Sequence, residues 1–294
     1  MGISDSMQLA LSGSGALTKT WEDAVERWLF EKAGKASLNS DRCIFRWLEP
    51  YLSGLPLRDI NRGVVDAITL RKIKTGVANG TVNRMLALVR AVLRRAAHDW
   101  EWMGAVPRVR LLREPTRRVR YLTALQAQRL LEQLPSHLAE MVAFSLATGL
   151  RKSNVTGLQW SQIDLSRCMA WVHPDQSKSR QAIAVPLNRD AMRVLAVQVG
   201  KHATHVFAFK GETIAKVSTA AWKKALKRAG IEDFRWHDLR HTWASWHVQN
   251  GTPLNVLQEL GGWESPQMVR RYAHFSAAHL AEYAYRLPTI MASS

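Results

Sequence analysis

The chain has 294 residues, room for two domains at roughly 150 residues each. Its 41 Lys and Arg against 24 Asp and Glu leave a formal charge of +17, and 47% of residues are hydrophobic, which supports a packed core and excludes general disorder. Two cysteines, Cys43 and Cys168, exclude a disulfide framework and a Cys-rich zinc site. The longest apolar stretch, near 141–150, is too short to span a bilayer, so no membrane partner is expected. No charged-then-apolar leader opens the chain, and the Ser- and Gly-rich residues 1–17 read as a loose tail. The balance points to a cytoplasmic protein with a polyanionic partner.

In chain order, Thr20 with Asp23 three residues on reads as a helix start, and Val25, Trp28 and Leu29 mark its apolar face. Ile44, Phe45, Leu48 and Leu52 recur at helical spacing over 40–52, and Val64, Val65, Ile68 and Leu70 open a third helix that Gly76 and Gly80 end. The clearest helix is 81–98, with Val82, Met85, Leu86, Val89, Val92 and Leu93 on one side. Four helices within 18–105 make a small all-α domain. Residues 106–120 carry two prolines and six arginines without periodicity, an extended basic linker.

Beyond it, Thr123 starts a helix that Pro135 ends, and 136–148 is a more apolar, buried helix. Residues 168–173 and 182–185 read as strands around a hairpin-like connection at 175–179, and 205–209 as a third strand. Helices follow near 188–199, 216–229, 237–249, 253–259, 265–271 and 276–286, with a short tail at 287–294. The fold class is mainly α with a small antiparallel β-sheet: a helical domain, a linker and a mixed α+β domain over 121–286.

Charge concentrates in the middle. Residues 71–120 hold 13 basic and 3 acidic residues, among them Arg84, Arg90, Arg94, Arg95, Arg117, Arg118 and Arg120. Such a run is often a solvated helix face. Its density here, without an apolar anchoring face, fits phosphate binding by double-stranded DNA better than a membrane surface.

Three segments in the second half carry chemistry: Thr148-Gly149-Leu150-Arg151, His237-Asp238-Leu239-Arg240-His241, and Leu260-Gly261-Gly262-Trp263 with Tyr272 nine residues on. Arg151 alone reads as an arginine satisfying a helix C-terminus. The His237/His241 spacing also matches a metal-binding pair, but the usual glutamate and a third ligand are missing and Arg240 would repel a cation, so no metal or cofactor is expected.

Together, in this order and spacing, these segments resemble the tyrosine recombinase family, the phage-integrase type of site-specific recombinase. The resemblance covers about 18–286. It implies a helical core-binding domain and a catalytic domain that clamp duplex DNA, and a 3′-phosphotyrosine intermediate that stores the phosphodiester energy. It makes Tyr272 the nucleophile. Arg151 and Arg240 become the clamp on the non-bridging phosphate oxygens, Trp263 an indole N–H donor to phosphate, and His237 a phosphate contact that helps move the tyrosine proton. Core packing is the competing reading of Trp263 in a chain with 12 tryptophans. Lys178, in Gln176-Ser177-Lys178-Ser179-Arg180, becomes the general acid for the leaving 5′-oxygen, against a plain solvated turn lysine. Asn154 stands where the family usually has a carboxylate. His241 and His274 read as structural or phosphate-side supports.

The resemblance also implies a homotetramer on paired DNA sites, with the apolar residues Phe275, Leu280, Tyr283 and Leu287 docking on a neighbouring protomer. It leaves room for an accessory DNA-bending or excision protein. Fewer than 20 residues precede the first helix, so no separate amino-terminal arm-binding domain is expected. Two alternatives stand beside it: a type IB topoisomerase sharing the same residue logic, and a non-enzymatic helical DNA-binding regulator.

Overall fold

The computed structural model describes residues 18–115, 119–176 and 182–276. The chain forms two compact units, Met1–Thr116 and Arg117–Ser294.

The first unit holds four helices, α1 (Trp21–Glu31), α2 (Leu38–Leu52), α3 (Arg62–Lys74) and α4 (Asn79–His98). Thr20 and Asp23 cap α1 reciprocally, as the sequence predicts. The six apolar residues read from α4 are all buried, against Trp21, Trp28, Phe45, Leu48, Leu52, Val65 and Ile68. Residues 106–115 are extended, as a Pro- and Arg-rich segment should be, but they are docked rather than free. Val109 is buried, and Asn83 on α4 pairs with the Leu112 backbone like a neighbouring strand, at 2.9 Å to its carbonyl and 2.7 Å from its N–H.

In the second unit, Thr123 and Gln126 form the capping box of α5 (Ala124–Gln133), and α6 (Ser136–Thr148) follows, its side chains buried almost all round. The sheet is antiparallel in the order β1 (Ile163–Asp164), β2 (Met169–Val172), β3 (Ile183–Pro186), with Val172 opposite Ile183. Ala170, Val172, Ile183 and Val185 turn one face into the core, the period-two pattern of a half-buried sheet.

Two expectations change. The strand expected over 205–209 shrinks to β4 (Ala208–Phe209), which pairs with β5 (Glu212–Thr213) in its own hairpin. The helix expected from 216 starts at α9 (Ala220–Arg228), because Thr219 accepts the Trp222 N–H and fixes the start there. A five-residue helix, α7 (Lys152–Thr156), and β1 were not anticipated. The remaining helices are α8 (Arg189–Gln198), α10 (Asp238–Gln249), α11 (Leu254–Gly261) and α12 (Pro266–Arg270). The helix expected over 276–286 and the docking residues assigned to it lie outside the described side chains.

Helix α10 is the spine of the second unit. The Thr242 hydroxyl accepts the Leu122 N–H at 3.1 Å, and the Trp246 indole donates to the Leu122 carbonyl at 2.9 Å. Trp243, Ala244 and Val248 pack with Leu257, Val269 and Tyr272, so α10, α11 and α12 share a small core beneath the motif residues.

Candidate active site

Three glycines shape the site. Gly149 ends α6 with φ +64°, and Gly262 ends α11 with φ +57°, the left-handed conformation that favours glycine. A Cβ at Gly149 would enter the Trp243 ring, at Gly261 the Trp263 ring, and at Gly262 the Ile183 side chain. The two Gly-containing motifs are therefore places where helix ends press against aromatic and strand side chains. Gly149→Ala is expected to cost about 2–4 kcal/mol, from left-handed strain and overpacking together. Denaturant unfolding checks this; a change within about 0.5 kcal/mol, the range of an indifferent surface substitution, would contradict the packing argument.

The carbonyls freed at these helix ends hold the two arginines. Arg240 is buried and donates to Gly149 O at 2.6 Å and to Gly261 O. Arg151 donates to Gly262 O at 3.2 Å. Helix C-termini carry partial negative charge and orphan acceptors, so they fix a guanidinium without neutralising it as a carboxylate would. Burial pushes the Arg240 pKa down, with Arg151 adding to the effect and Tyr272 opposing it; at about 9 the group is still cationic at neutral pH. Burial also lowers Arg151, while Glu264 favours its charge.

Arg151, His237, Arg240, His241, Trp263, Glu264, Met268, Arg271 and Tyr272 line one cavity of about 250 Å³. The Tyr272 side chain is 1% exposed, so its hydroxyl is a held group rather than a loose surface phenol. It hydrogen-bonds His241 Nδ1 at 2.5 Å. Burial raises its pKa to about 12, with Arg240 and Arg271 pulling the other way and Asp238 adding to the rise. His241 is pushed down to about 4 by burial and by the neighbouring His237, Arg271 and Arg240, so it is neutral at pH 7. His237 N-caps α10 in sequence position, and its ring lies 5.1 Å from that of His241. The Trp263 ring lies against Tyr272, tilted at 51° with 5.9 Å between ring centres, and 4.2 Å from the Arg240 guanidinium carbon. It both packs in the core under α10 and lines the cavity.

Of the motif residues, Arg151, His237, Arg240, Trp263 and Tyr272 converge on one cavity. Lys178, Arg117 and Arg118 lie outside the described residues. His241 was read as a support, yet it is the residue bonded to the tyrosine; its i, i+4 spacing from His237 was the available signal. Asn154 is buried with its Nδ2 unpaired among the described residues. Arg84 and Arg94 are exposed on one side of α4 and Arg90 is partly exposed. Arg95 is engaged by Glu31 and by Asp99 at 3.1 Å. Arg120 is likewise occupied, donating to Glu232 O at 3.0 Å with Asp233 at 3.9 Å. No group of three or more His, Cys, Asp or Glu that could hold a metal occurs among the described residues. None of the described helices is long and apolar enough to cross a membrane.

A buried tyrosine hydroxyl facing two backbone-held guanidiniums defines a site for covalent phosphoryl transfer. The sequence model of the phage integrase family matches residues 120–279, and the chain belongs to that family. It is 41% identical to the integrase of Salmonella phage P22, over 94% of this chain and 81% of the relative. The fold is that of the Tn1549 transposon integrase solved with a circular intermediate DNA (TM-score 0.76, 17% identity, 90% of this chain and 98% of that one). It is also that of a lambda integrase tetramer solved on a Holliday junction (TM-score 0.73, 20% identity, 92% and 81%). The protein is a tyrosine-type DNA recombinase, and these relatives do not favour the topoisomerase and regulator alternatives.

Proposed function

We propose that this chain cleaves and rejoins double-stranded DNA at specific sites through a 3′-phosphotyrosine on Tyr272, acting as a homotetramer on two paired sites in the cytoplasm of a bacterial host. The carrying observation is Arg240, buried and held by two carbonyls beside the buried Tyr272, without a carboxylate ion pair among the described residues. Such a cation is incompletely compensated until an anion arrives. A phosphodiester supplies that anion, and its non-bridging oxygens take the N–H groups of Arg151 and Arg240 as charge builds up in the transition state.

The Tyr272 oxygen attacks phosphorus, the P–O5′ bond breaks, and the 5′-oxygen leaves with a proton from Lys178. Attack by a 5′-hydroxyl of another strand reverses the step and exchanges strands. Trp263 offers its indole N–H to the phosphate, and His237 borders the same cavity as a phosphate contact. Residues 18–105 serve as the core-binding domain and 121–286 as the catalytic domain. Arg84, Arg90 and Arg94 contact backbone phosphates together with Arg117 and Arg118. Arg95 and Arg120, already engaged within the protein, contribute less.

Tyr272→Phe tests the reading. On a nicked duplex carrying the recognition site, it is expected to bind like the unmodified protein and to form no covalent adduct, since only one oxygen is removed. Electrophoresis of denatured protein–DNA mixtures reads the adduct. A persistent adduct in Tyr272→Phe would refute the assignment.

A further inference from the structure

Motif resemblance gives the tyrosine proton to His237, but the hydrogen bond to Tyr272 Oη is made by His241 Nδ1, at 2.5 Å. We propose that His241 is the base of the cleavage step: it accepts the Tyr272 hydroxyl proton as the oxygen bonds to phosphorus and returns it on rejoining. The inference rests on the recombinase reading of this cavity and adds a catalytic residue to it.

Three observations carry it. Both partners are fixed. His241 sits on α10 with its ring 5.1 Å from that of His237, and Tyr272 is clasped between His241 and Trp263, at 5.8 and 5.9 Å between ring centres. The Tyr272 side chain is buried, so its proton needs an acceptor already in contact rather than bulk water. The contact is made at Nδ1, so the tautomer sets its direction: with the imidazole proton on Nε2, Nδ1 accepts and the tyrosine is the donor.

The electrostatics explain why the pair stays unreacted without DNA. His241 faces His237 and Arg240 from its own helix and Arg271 from the turn after α12, with Asp238 beside it on α10 and Arg151 and Glu264 across the cavity. Burial and the cations hold His241 at about 4 and burial holds Tyr272 at about 12, so the proton stays on the tyrosine. A phosphate anion between Arg151 and Arg240 offsets the cationic field and raises the basicity of His241. The proton then moves as the O–P bond forms. The step balances: the Tyr272 O–H bond breaks, His241 becomes imidazolium, the P–O5′ bond breaks, and the leaving oxygen is protonated by a separate acid. Rejoining returns the His241 proton to the phenolate.

The test is adduct formation in single turnover on a nicked duplex at saturating protein, followed from acid to alkaline pH. In the unmodified protein the rate is expected to fall on the acid side as a single ionisation, because protonated His241 cannot accept, to be flat through neutral pH, and to fall again in alkali as Arg240 and the acid for the leaving oxygen lose their protons. His241→Asn places an amide near Nδ1, keeping a hydrogen bond without basicity. It is expected to be slower by ~10²-fold or more at neutral pH. Its rate should then rise about tenfold per pH unit as hydroxide takes over. Cleavage by His241→Asn at the unmodified rate and profile overturns the proposal. So does a loss that is the same at every pH, which would make His241 only a structural support. If the asparagine variant fails to melt cooperatively, the acid limb of the unmodified protein decides alone, and its absence overturns the proposal. Tyr272→Phe in the same assay separates the two levels. An adduct there removes the recombinase reading of the site, whereas an inert Tyr272→Phe beside an unaffected His241→Asn removes only the role of His241.

Discussion

Arg240→Lys is expected to slow strand cleavage by about 10³-fold while leaving DNA affinity within a few-fold of the original. The guanidinium is positioned by two acceptors from different helix ends, Gly149 O at the end of α6 and Gly261 O at the end of α11. Arg240 lines the same cavity as Tyr272 and Arg151. A lysine keeps the charge, but its three donors diverge from one point and cannot hold both carbonyls and present a planar fork to phosphate. Loss of a single preorganised donor typically costs 10²–10³ in rate, and here both donors of the fork are lost. Affinity is spared because it is a sum over many phosphate contacts. Single-turnover cleavage and binding titrations measure the two quantities separately. Cleavage within tenfold of the original would mean that charge alone, not the fork, is what the site uses. Melting of the variant is a necessary companion, since Arg240 also satisfies the ends of two helices.

The sequence makes the site legible where a local rule forces the residue. Gly149 and Gly262 are readable because the chain reverses there with positive φ, and a glycine just after an apolar helix marks such an end. The helices of the first unit were readable because their apolar faces recur over three or more turns, as in α4. Elements shorter than that escape. Helix α7 has five residues and β1 two, too few for a period to register.

Pairings across the chain are invisible to periodicity. Arg95 looked like one more cation in a basic run until Glu31, far earlier in the sequence, was found beside it. The docking of 106–115 rests on amides of α4, Asn79 and Asn83, that bond its backbone at Arg113 and Leu112, and on the buried Val109. The same holds for His241, whose partner is a tyrosine that only the turn after α12 brings to it. Arg151 does satisfy a helix C-terminus, as the sequence suggests, but that the end is the one at Gly262, far along the chain, and that Arg240 joins two such ends, is not legible from any local pattern.

Lys178→Ala is expected to slow cleavage of an ordinary substrate by ~10²–10⁴-fold, because a 5′-alkoxide is a poor leaving group without a proton. The residue belongs to the β2–β3 connection, whose return strand begins at Ile183. Ile183 packs against Gly262, next to Trp263, so the return strand begins beside the turn that carries Trp263. A slow variant alone does not separate an acid from a lost phosphate contact. Replacing the scissile 5′-oxygen by sulfur does, since a thiolate leaves without protonation. Lys178→Ala is therefore expected to cleave the sulfur substrate nearly as fast as the unmodified protein. Arg151→Ala, which removes transition-state charge stabilisation instead, should remain slow on both. Equal defects of Lys178→Ala on oxygen and sulfur would take the proton away from this lysine. The acid would then have to be sought among the other residues that line the cavity.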